Sequence, residues 1–185
     1  MVLSLSPMPT CKLIADNISN TLAYVTTGSV QCIVTSPPYF GLRDYRTEGQ
    51  IGQEGSEAEY VDRLVGALHG IQSVLHDTGT LWLNVGDTYG PRGLRGLPWR
   101  IALSMKAAGW CLRSDVIWEK TRWMPNGGRS RPVMIHEYLF MLTCRNTGYF
   151  YNADAVREPH SPASIKRWAA GPVAALGGSQ SMGFK

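Results

Sequence analysis

The sequence predicts an α/β fold built on an open, mostly parallel sheet, because apolar segments of strand length alternate with helical segments along the chain. The segments between them are short, which favours elements that pack directly against their neighbours. The predicted strands lie at 11–16, 30–35, 80–85, 111–120 and 136–145, and the predicted helices lie at 17–28, 57–76 and 99–108.

Two of these elements carry most of the prediction. Residues 30–35, VQCIVT, are apolar enough to be buried on both faces, as strands of parallel sheets usually are. Residues 57–76 place apolar side chains on one helical stripe, which is typical of a helix that packs on a sheet. Ser56 and Glu59 have the spacing of a capping box, so the helix is expected to begin there.

Length and composition indicate one globular domain followed by a tail. Of the 185 residues, 44% are hydrophobic, which is enough for a substantial core. We expect the α/β domain to span residues 1–160. Residues 161–185, rich in Gly, Ala and Ser, are expected to form a loose tail or the start of a further region, with about the last fifteen poorly ordered.

Charge is distributed unevenly along the chain. Residues 1–90 contain four Lys and Arg against nine Asp and Glu, whereas residues 91–185 contain fourteen against five. The basic half is a candidate surface for nucleic acid, and the alternative is a solvated basic surface with no ligand.

Other sequence features argue against metal binding and a membrane location. The four cysteines are scattered with no CxxC pair, and the pair His136–Glu137 favours a structural role, so no metal is predicted. No segment resembles a signal peptide or approaches the length of a membrane span. A cytoplasmic protein with reduced thiols is therefore expected.

The predicted strand 30–35 ends in a stiff corner, Ser36-Pro37-Pro38-Tyr39. Two successive prolines fix the backbone and remove two N–H donors, so the Ser36 hydroxyl and nearby carbonyls point in fixed directions. Ligands of open α/β sheets bind at the carboxyl ends of strands, where this corner lies. Rigid oxygen acceptors beside the Tyr39 ring suit a planar ligand that carries an NH2 group.

At these residues the sequence resembles the DNA methyltransferases that modify exocyclic amines, whose tetrapeptide is [DNS]-P-P-[YFW]. The resemblance covers roughly residues 12–162, and further segments follow in the family's order. They are YFGLRDY after the corner, GTLWLNVGDTY at 79–89, GWCLRSDVIWEK at 109–120, RPVMIHEYLFMLT at 131–143 and YNADAVREPHS at 151–161. The resemblance implies the open sheet of S-adenosylmethionine-dependent methyltransferases, which is Rossmann-like, and it implies double-stranded DNA as substrate.

The resemblance also implies roles for individual residues. The target base is extruded from the duplex. Ser36 and Pro37 accept hydrogen bonds from its amine, Pro38 stiffens the corner and Tyr39 stacks on its ring. Asp16, Thr35 and Ser36 are expected to contact S-adenosyl-L-methionine, although Ala15 stands where the family often has Gly before Asp16, and Asp16 could instead cap a helix. Ser at the first position favours N4 of cytosine over N6 of adenine.

Basic side chains in the Gly- and Pro-rich loops between residues 91 and 131 are expected to contact DNA phosphates, because arginine binds phosphate bidentately and loops can follow a groove. The candidates are Arg92, Arg95, Arg122, Arg129 and Arg131.

In the permuted class that this chain resembles, a variable recognition region and then an F-x-G-x-G segment for the methyl donor follow the catalytic half. No such segment is recognisable before Lys185. We therefore expect a fragment, one half of a split enzyme completed by a second chain, or a decayed copy, and an exposed sheet edge that favours a partner or a homo-oligomer. The alternative from another class is an inactive DNA-binding module.

Overall fold

The structure is a computed structural model that describes residues 10–122 and 130–169. Its main sheet has four strands in the order β1-β2-β6-β5. They are β1 (Val30–Thr35), β2 (Leu75–Val85), β5 (Cys111–Glu119) and β6 (His136–Thr143). A small hairpin of β3 (Tyr89–Gly90) and β4 (Gly93–Leu94) lies outside this sheet, and the helices are α1 (Glu57–Gly70), α2 (Leu97–Ala107) and α3 (Pro162–Ala169).

The α/β class is confirmed, but the sheet is mixed rather than mostly parallel in its pairing. Only β1 and β2 pair in parallel, whereas β6 pairs antiparallel with both β2 and β5. Three of the four strands therefore run in one direction, and β6 runs against them in the space between two of them. No helix was predicted between β5 and β6, and a parallel pairing would have needed such a crossover.

One face of the sheet forms the core together with α1 and α2. Leu81, Leu83 and Phe140 are fully buried there and belong to one cluster with the apolar stripe of α1. The opposite face is more open, since Val34 on β1 is 73% exposed and Trp118 on β5 is 57% exposed. The expectation that residues 30–35 are buried on both faces is therefore wrong, because only one face of β1 packs against the core.

Both core helices begin at well-defined caps. The Ser56 hydroxyl accepts a hydrogen bond from the Glu59 N–H at 3.2 Å, as the capping spacing predicted. At the start of α2, Gly96 has φ +68°, and the Asp87 carboxylate accepts hydrogen bonds from the N–H groups of Gly96 (2.9 Å) and Leu97 (3.3 Å). The acidic side chain at the end of β2 thus fixes the beginning of the next helix.

Two further boundaries differ from the prediction. Residues 11–16 form no strand, and they lie exposed before a short 3-10 helix at Ile18–Ala23. The helix predicted for 57–76 ends earlier, at Gly70, and after a 3-10 turn the strand β2 already begins at Leu75. The segment HDTG therefore lies within β2 at an irregularity of the pairing with β1, which passes from Val30–Leu75 directly to Cys32–Thr80.

The chain divides into two compact units after Phe150. In the second unit, a 3-10 turn at Asp154–Val156 precedes α3, whose first turn is capped by the Ser161 hydroxyl accepting from the Ser164 N–H at 3.2 Å. Residues 162–169 are thus helical where a loose tail was expected, and residues 170–185 lie outside the described residues. Among the described residues, no helix is long and apolar enough to cross a membrane.

The packing of α1 against the sheet predicts a large loss of stability for Leu64→Ala. Leu64 is only 2% exposed, so truncation leaves a cavity and is expected to lower the free energy of unfolding by about 2–5 kcal/mol. Leu103→Ala on α2 is the matched control, because Leu103 is 59% exposed and its truncation is expected to cost less than about 1 kcal/mol. Urea unfolding of both variants measures the difference, and equal losses would contradict the assignment of the core.

Candidate active site

The direction of β6 brings its first residues to the edge where the other three strands end. Ser36 follows β1, Gly86 follows β2 and Lys120 follows β5, while Glu137 is the second residue of β6. Polar groups from four separate segments therefore meet at the carboxyl edge of the sheet, which is the usual ligand-binding edge of an open α/β sheet.

The Ser-Pro-Pro-Tyr corner is held rigidly against its surroundings. The Tyr60 hydroxyl of α1 donates a hydrogen bond to the Pro38 carbonyl at 2.9 Å, and burial raises the pKa of Tyr60. On the other side, Gly86 lets the Tyr39 ring approach closely, since a Cβ at Gly86 would lie 2.9 Å from Tyr39 Cε2. The corner is thus fixed by α1 and by the end of β2.

The Tyr39 hydroxyl lies at the centre of a polar cluster, which we define as Tyr39, Asn84, Lys120 and Glu137. Tyr39 donates a hydrogen bond to Glu137 Oε2 at 2.8 Å. The Asn84 side-chain amide donates to the same oxygen at 2.7 Å and to the Tyr39 oxygen at 3.1 Å. Lys120 Nζ pairs with Glu137 Oε1 at 2.5 Å, and Ser36 Oγ lies 3.4 Å from the Tyr39 hydroxyl oxygen.

The surroundings of the polar cluster keep Glu137 ionised and Tyr39 protonated. Partial burial raises the pKa of Glu137, but the hydrogen bonds from Lys120, Asn84 and Tyr39 outweigh it, so the pKa lies below its ordinary value. Burial, supported by the neighbouring Glu137 carboxylate, raises the pKa of Tyr39 to about 12. At neutral pH the carboxylate is therefore an acceptor only, and the phenol is a donor to it.

A cavity of about 460 Å³ opens beside this cluster, and we call it the serine cavity. The Ser36 side chain is exposed, and the Tyr39 ring is half-buried rather than sealed in the core. The wall of the serine cavity is formed by Ser36, Pro37, Tyr39, Leu42, Arg43, Tyr45, Lys120 and Glu137. Oxygen acceptors, an aromatic ring and a neutralised ion pair thus face one enclosed space.

A second cavity of about 380 Å³ lies on the α1 side of the corner. Ser36 and Pro37 line both cavities, and Thr35 lines the second one together with apolar side chains such as Leu64 of α1. Asp16 does not line either cavity, although the following residues Asn17 and Ile18 line the second.

The Asp16 carboxylate is engaged locally. It accepts hydrogen bonds from the Tyr24 hydroxyl at 2.6 Å and from the Asn20 side-chain amide at 2.8 Å, and these bonds lower its pKa. The helix cap itself is Asn17, whose side chain accepts from the Ser19 N–H at 3.0 Å. Asp16 thus orders the 3-10 helix in this structure.

The predicted arginines fall into different environments. Arg95 pairs with Glu57 at 2.5 Å, and its guanidinium lies 5.2 Å from the centre of the Phe40 ring, so it holds the corner loop against α1. The hydrogen bond from Arg95 is the main cause that lowers the pKa of Glu57. Arg129 lies outside the described residues.

Three of the predicted arginines are exposed. Arg92 lies in the turn of the β3–β4 hairpin, and Arg131 lays its guanidinium over the Tyr89 ring of that hairpin at 3.7 Å from the ring centre. Arg122 lies just after the end of β5. None of these three side chains lines the serine cavity.

Sequence reasoning missed Asn84, Lys120 and Glu137. Two of them had a signal: Asn84 is a polar residue inside the apolar strand TLWLNV, and Glu137 is a charged residue at the start of the apolar strand HEYLFMLT. A buried polar side chain needs partners, so both residues pointed to a polar network. Which residues would meet could not be known without the strand order.

Comparisons with known proteins agree with the fold class and show the family. The sequence model of the DNA methylase family, which covers N6 and N4 methyltransferases, matches residues 30–170. The chain is 41% identical over 174 residues to the type II methyltransferase M.XycI of Xanthomonas campestris pv. cyanopsidis, covering 78% of this chain and 58% of the relative. It is 42% identical over 166 residues to the type II methyltransferase M.Cfr9I of Citrobacter freundii, covering 74% and 55%.

Among solved structures, the cytosine-N4-specific PvuII DNA methyltransferase matches with a TM-score of 0.57. The match covers 70% of this chain and 48% of that chain at 17% identity, so it shows a shared fold. The chain spans somewhat more than half the length of both curated relatives described above.

The polar cluster predicts a specific dependence of stability on pH. Because the pKa of Glu137 is lower in the folded chain than its ordinary value of 4.5, its contribution to stability is complete above that value and is lost as pH falls through the lower, folded pKa. Urea unfolding across this range is expected to show that Glu137→Gln is less stable than wild type at neutral pH and that the gap narrows in acid.

Glu119→Gln is the control for this measurement. It removes a carboxylate from β5 that makes no ion pair among the described residues. Its difference from wild type is expected to be small at neutral pH. A difference in the free energy of unfolding between wild type and Glu137→Gln that stays constant from neutral to acid pH would contradict the assignment of the stabilising ion pair.

Proposed function

The chain belongs to the DNA methylase family, and we propose that it forms the base-binding part of a site-specific DNA methyltransferase that methylates an exocyclic amine. The observation that carries the proposal is the serine cavity, in which the family's tetrapeptide presents its acceptors and its aromatic ring to one enclosed space. The target base would enter this cavity after leaving the duplex, because its amine cannot reach such a space from within the stack.

The proposed chemistry follows from the groups that face the cavity. An exocyclic amine is a poor nucleophile, since its lone pair is delocalised into the ring. Hydrogen bonds from the amine to Ser36 Oγ and the Pro37 carbonyl would localise that lone pair and stabilise the positive charge that develops during attack. Tyr39, held by Gly86 and Glu137, would stack on the base and replace about 1–3 kcal/mol of lost stacking.

The proposed methyl donor is S-adenosyl-L-methionine, which supplies an electrophilic methyl group on a sulfonium. The second cavity is a suitable site for the donor. Ser36 and Pro37 line both cavities, so only this short stretch of chain lies between the donor site and the serine cavity. Thr35 lines that cavity directly, whereas Asp16 would act through the segment it orders, next to Asn17 and Ile18. The residues at the corner would then hold the base and the donor on opposite sides.

The proposed target atom is N4 of cytosine, on the basis of Ser36 at the first position of the tetrapeptide. The partners in this proposal are double-stranded DNA and a second protein chain or second copy of this chain. The open face and outer edge of β1 support a protein partner, since Val34 is 73% exposed there and β1 has no strand neighbour on that side among the described residues.

The proposed methyl transfer predicts that Ser36→Ala loses activity without losing the fold. The chain is incubated with mixed-sequence plasmid DNA and isotopically labelled S-adenosyl-L-methionine, and the digested nucleosides are identified by mass spectrometry. We expect labelled N4-methylcytosine from wild type and a rate lower by on the order of 10²-fold from Ser36→Ala, because one of two amine acceptors is removed.

Ser29→Ala is the matched control, since Ser29 lies before β1 and outside the serine cavity. Label found in N6-methyladenine instead of N4-methylcytosine would identify adenine, rather than cytosine, as the target base. An unchanged rate for Ser36→Ala would contradict the proposed chemistry, and label in neither nucleoside would contradict methylation by this chain on its own.

The proposed contact with DNA predicts different effects for exposed and packed arginines. Removing Arg92 or Arg131 is expected to weaken binding to a short duplex and to reduce the slope of log K against log salt by about one for each residue. Lys106→Gln is the control, because Lys106 lies in the last turn of α2, at the end of that helix remote from the β3–β4 hairpin. Equal effects for Lys106 and Arg131 would indicate only a general loss of positive charge.

A further inference from the structure

We propose that Glu137 is a specificity-determining positioning residue, which makes the Ser36 hydroxyl an acceptor in the serine cavity and so selects bases that carry an amine over bases that carry a carbonyl. The inference rests on the proposed function, and it adds a residue outside the Ser-Pro-Pro-Tyr corner that decides which base edge is bound.

The argument begins at the ion pair. Glu137 Oε1 pairs with Lys120 Nζ at 2.5 Å, and Glu137 is partly buried while its partner reaches the surface. An ionised carboxylate has no proton to give, so every hydrogen bond to Glu137 must be donated by the other group. By pairing with the ionised carboxylate, Lys120 ensures that Glu137 only accepts hydrogen bonds from Tyr39 and Asn84.

The next step is Tyr39, which has a single hydroxyl proton. That proton is donated to Glu137 Oε2 at 2.8 Å, so the Tyr39 oxygen can act only as an acceptor toward its other neighbours. The contacts of Asn84 agree with this direction of the hydrogen bonds, because its NH2 group donates to both Glu137 Oε2 (2.7 Å) and the Tyr39 oxygen (3.1 Å). The opposite orientation of the amide would place its oxygen against the carboxylate.

The last step is Ser36, whose Oγ lies 3.4 Å from the Tyr39 oxygen. Since Tyr39 has already given its proton to Glu137, Ser36 must be the donor in this contact. The single Ser36 proton then points to Tyr39, and the Ser36 lone pairs face the serine cavity. A base amine meets an acceptor there, whereas a base carbonyl meets a second acceptor and is repelled.

The inference identifies the chemical class of ligand without naming one base. Cytosine and adenine carry an amine at the relevant edge, and uracil and hypoxanthine carry a carbonyl in its place. The pairs 2′-deoxycytidine with 2′-deoxyuridine and 2′-deoxyadenosine with 2′-deoxyinosine therefore test the same property, whichever base is the natural target.

The experiment measures the binding of these four nucleosides to the full chain by saturation-transfer NMR titration. Wild type is expected to bind the amine member of at least one pair about tenfold more tightly than the carbonyl member. In Glu137→Gln the new amide can donate to Tyr39 and release the Ser36 proton, so the ratio is expected to fall below that of wild type, with the Pro37 carbonyl keeping part of the preference for an amine. Glu119→Gln, which makes the same chemical change on β5, is expected to keep the wild-type ratio.

Circular dichroism tests whether Glu137→Gln folds. If it does not fold, a second variant keeps the test decisive. Tyr39→Phe retains the ring and removes the hydroxyl that links Glu137 to Ser36, so its ratio is also expected to fall below that of wild type, to the part that the Pro37 carbonyl supplies. A loss of packing alone would weaken both members of a pair equally and leave the ratio unchanged.

The possible failures are distinct. If wild type binds the amine nucleosides and both variants retain the wild-type ratio, the role of Glu137 is wrong while the proposed base pocket stands. If wild type binds none of the four nucleosides, or if Ser36→Ala binds them as wild type does, the proposed base pocket is wrong and the inference falls with it.

Discussion

The site depends on one topological constraint, which is that β6 runs against its neighbours in the sheet. A strand that ran with β2 and β5 would deliver its last residues to the carboxyl edge, and Glu137 would lie at the opposite end of the sheet. Because β6 begins at this edge, its carboxylate meets Lys120 from β5, Asn84 from β2 and Tyr39 from the corner. The ion pair and hydrogen bonds of Glu137 thus join the ends of four segments that are distant in sequence.

The corner supplies rigidity that the strands alone would not provide. Its prolines fix the backbone, the Tyr60 hydroxyl holds the Pro38 carbonyl, and Gly86 lets the Tyr39 ring pack against the end of β2. In the proposed function, the Ser36 hydroxyl and the Pro37 carbonyl would gain from such support, because their positions are set before the ligand arrives. The glycine matters here through the space it leaves rather than through its backbone freedom.

The sequence was sufficient for features that depend on local pattern and insufficient for those that depend on pairing. The apolar stripe of α1 and its cap at Ser56 could be predicted, because both depend on residues that lie within a few turns of one helix. The corner could be recognised from its tetrapeptide. The absence of a predicted crossover helix favoured an antiparallel pairing of β5 and β6, but the position of β6 between β2 and β5 could not be predicted, and without it Glu137 had no visible partner. Arg95 was assigned from charge alone, and only the fold shows that it pairs with Glu57.

The distribution of charge separates two tasks that a DNA-modifying protein must perform. Phosphates need cations, and Arg92, Arg122 and Arg131 remain exposed. A nucleobase is neutral, so an unpaired carboxylate in its pocket would be costly to desolvate. In the wall of the serine cavity the carboxylate of Glu137 is paired with Lys120, which preserves its power to accept hydrogen bonds, while Arg43 adds a further positive charge to the same wall. The ion pair is therefore better understood as a device that orients neutral hydroxyl groups than as a source of attraction for DNA.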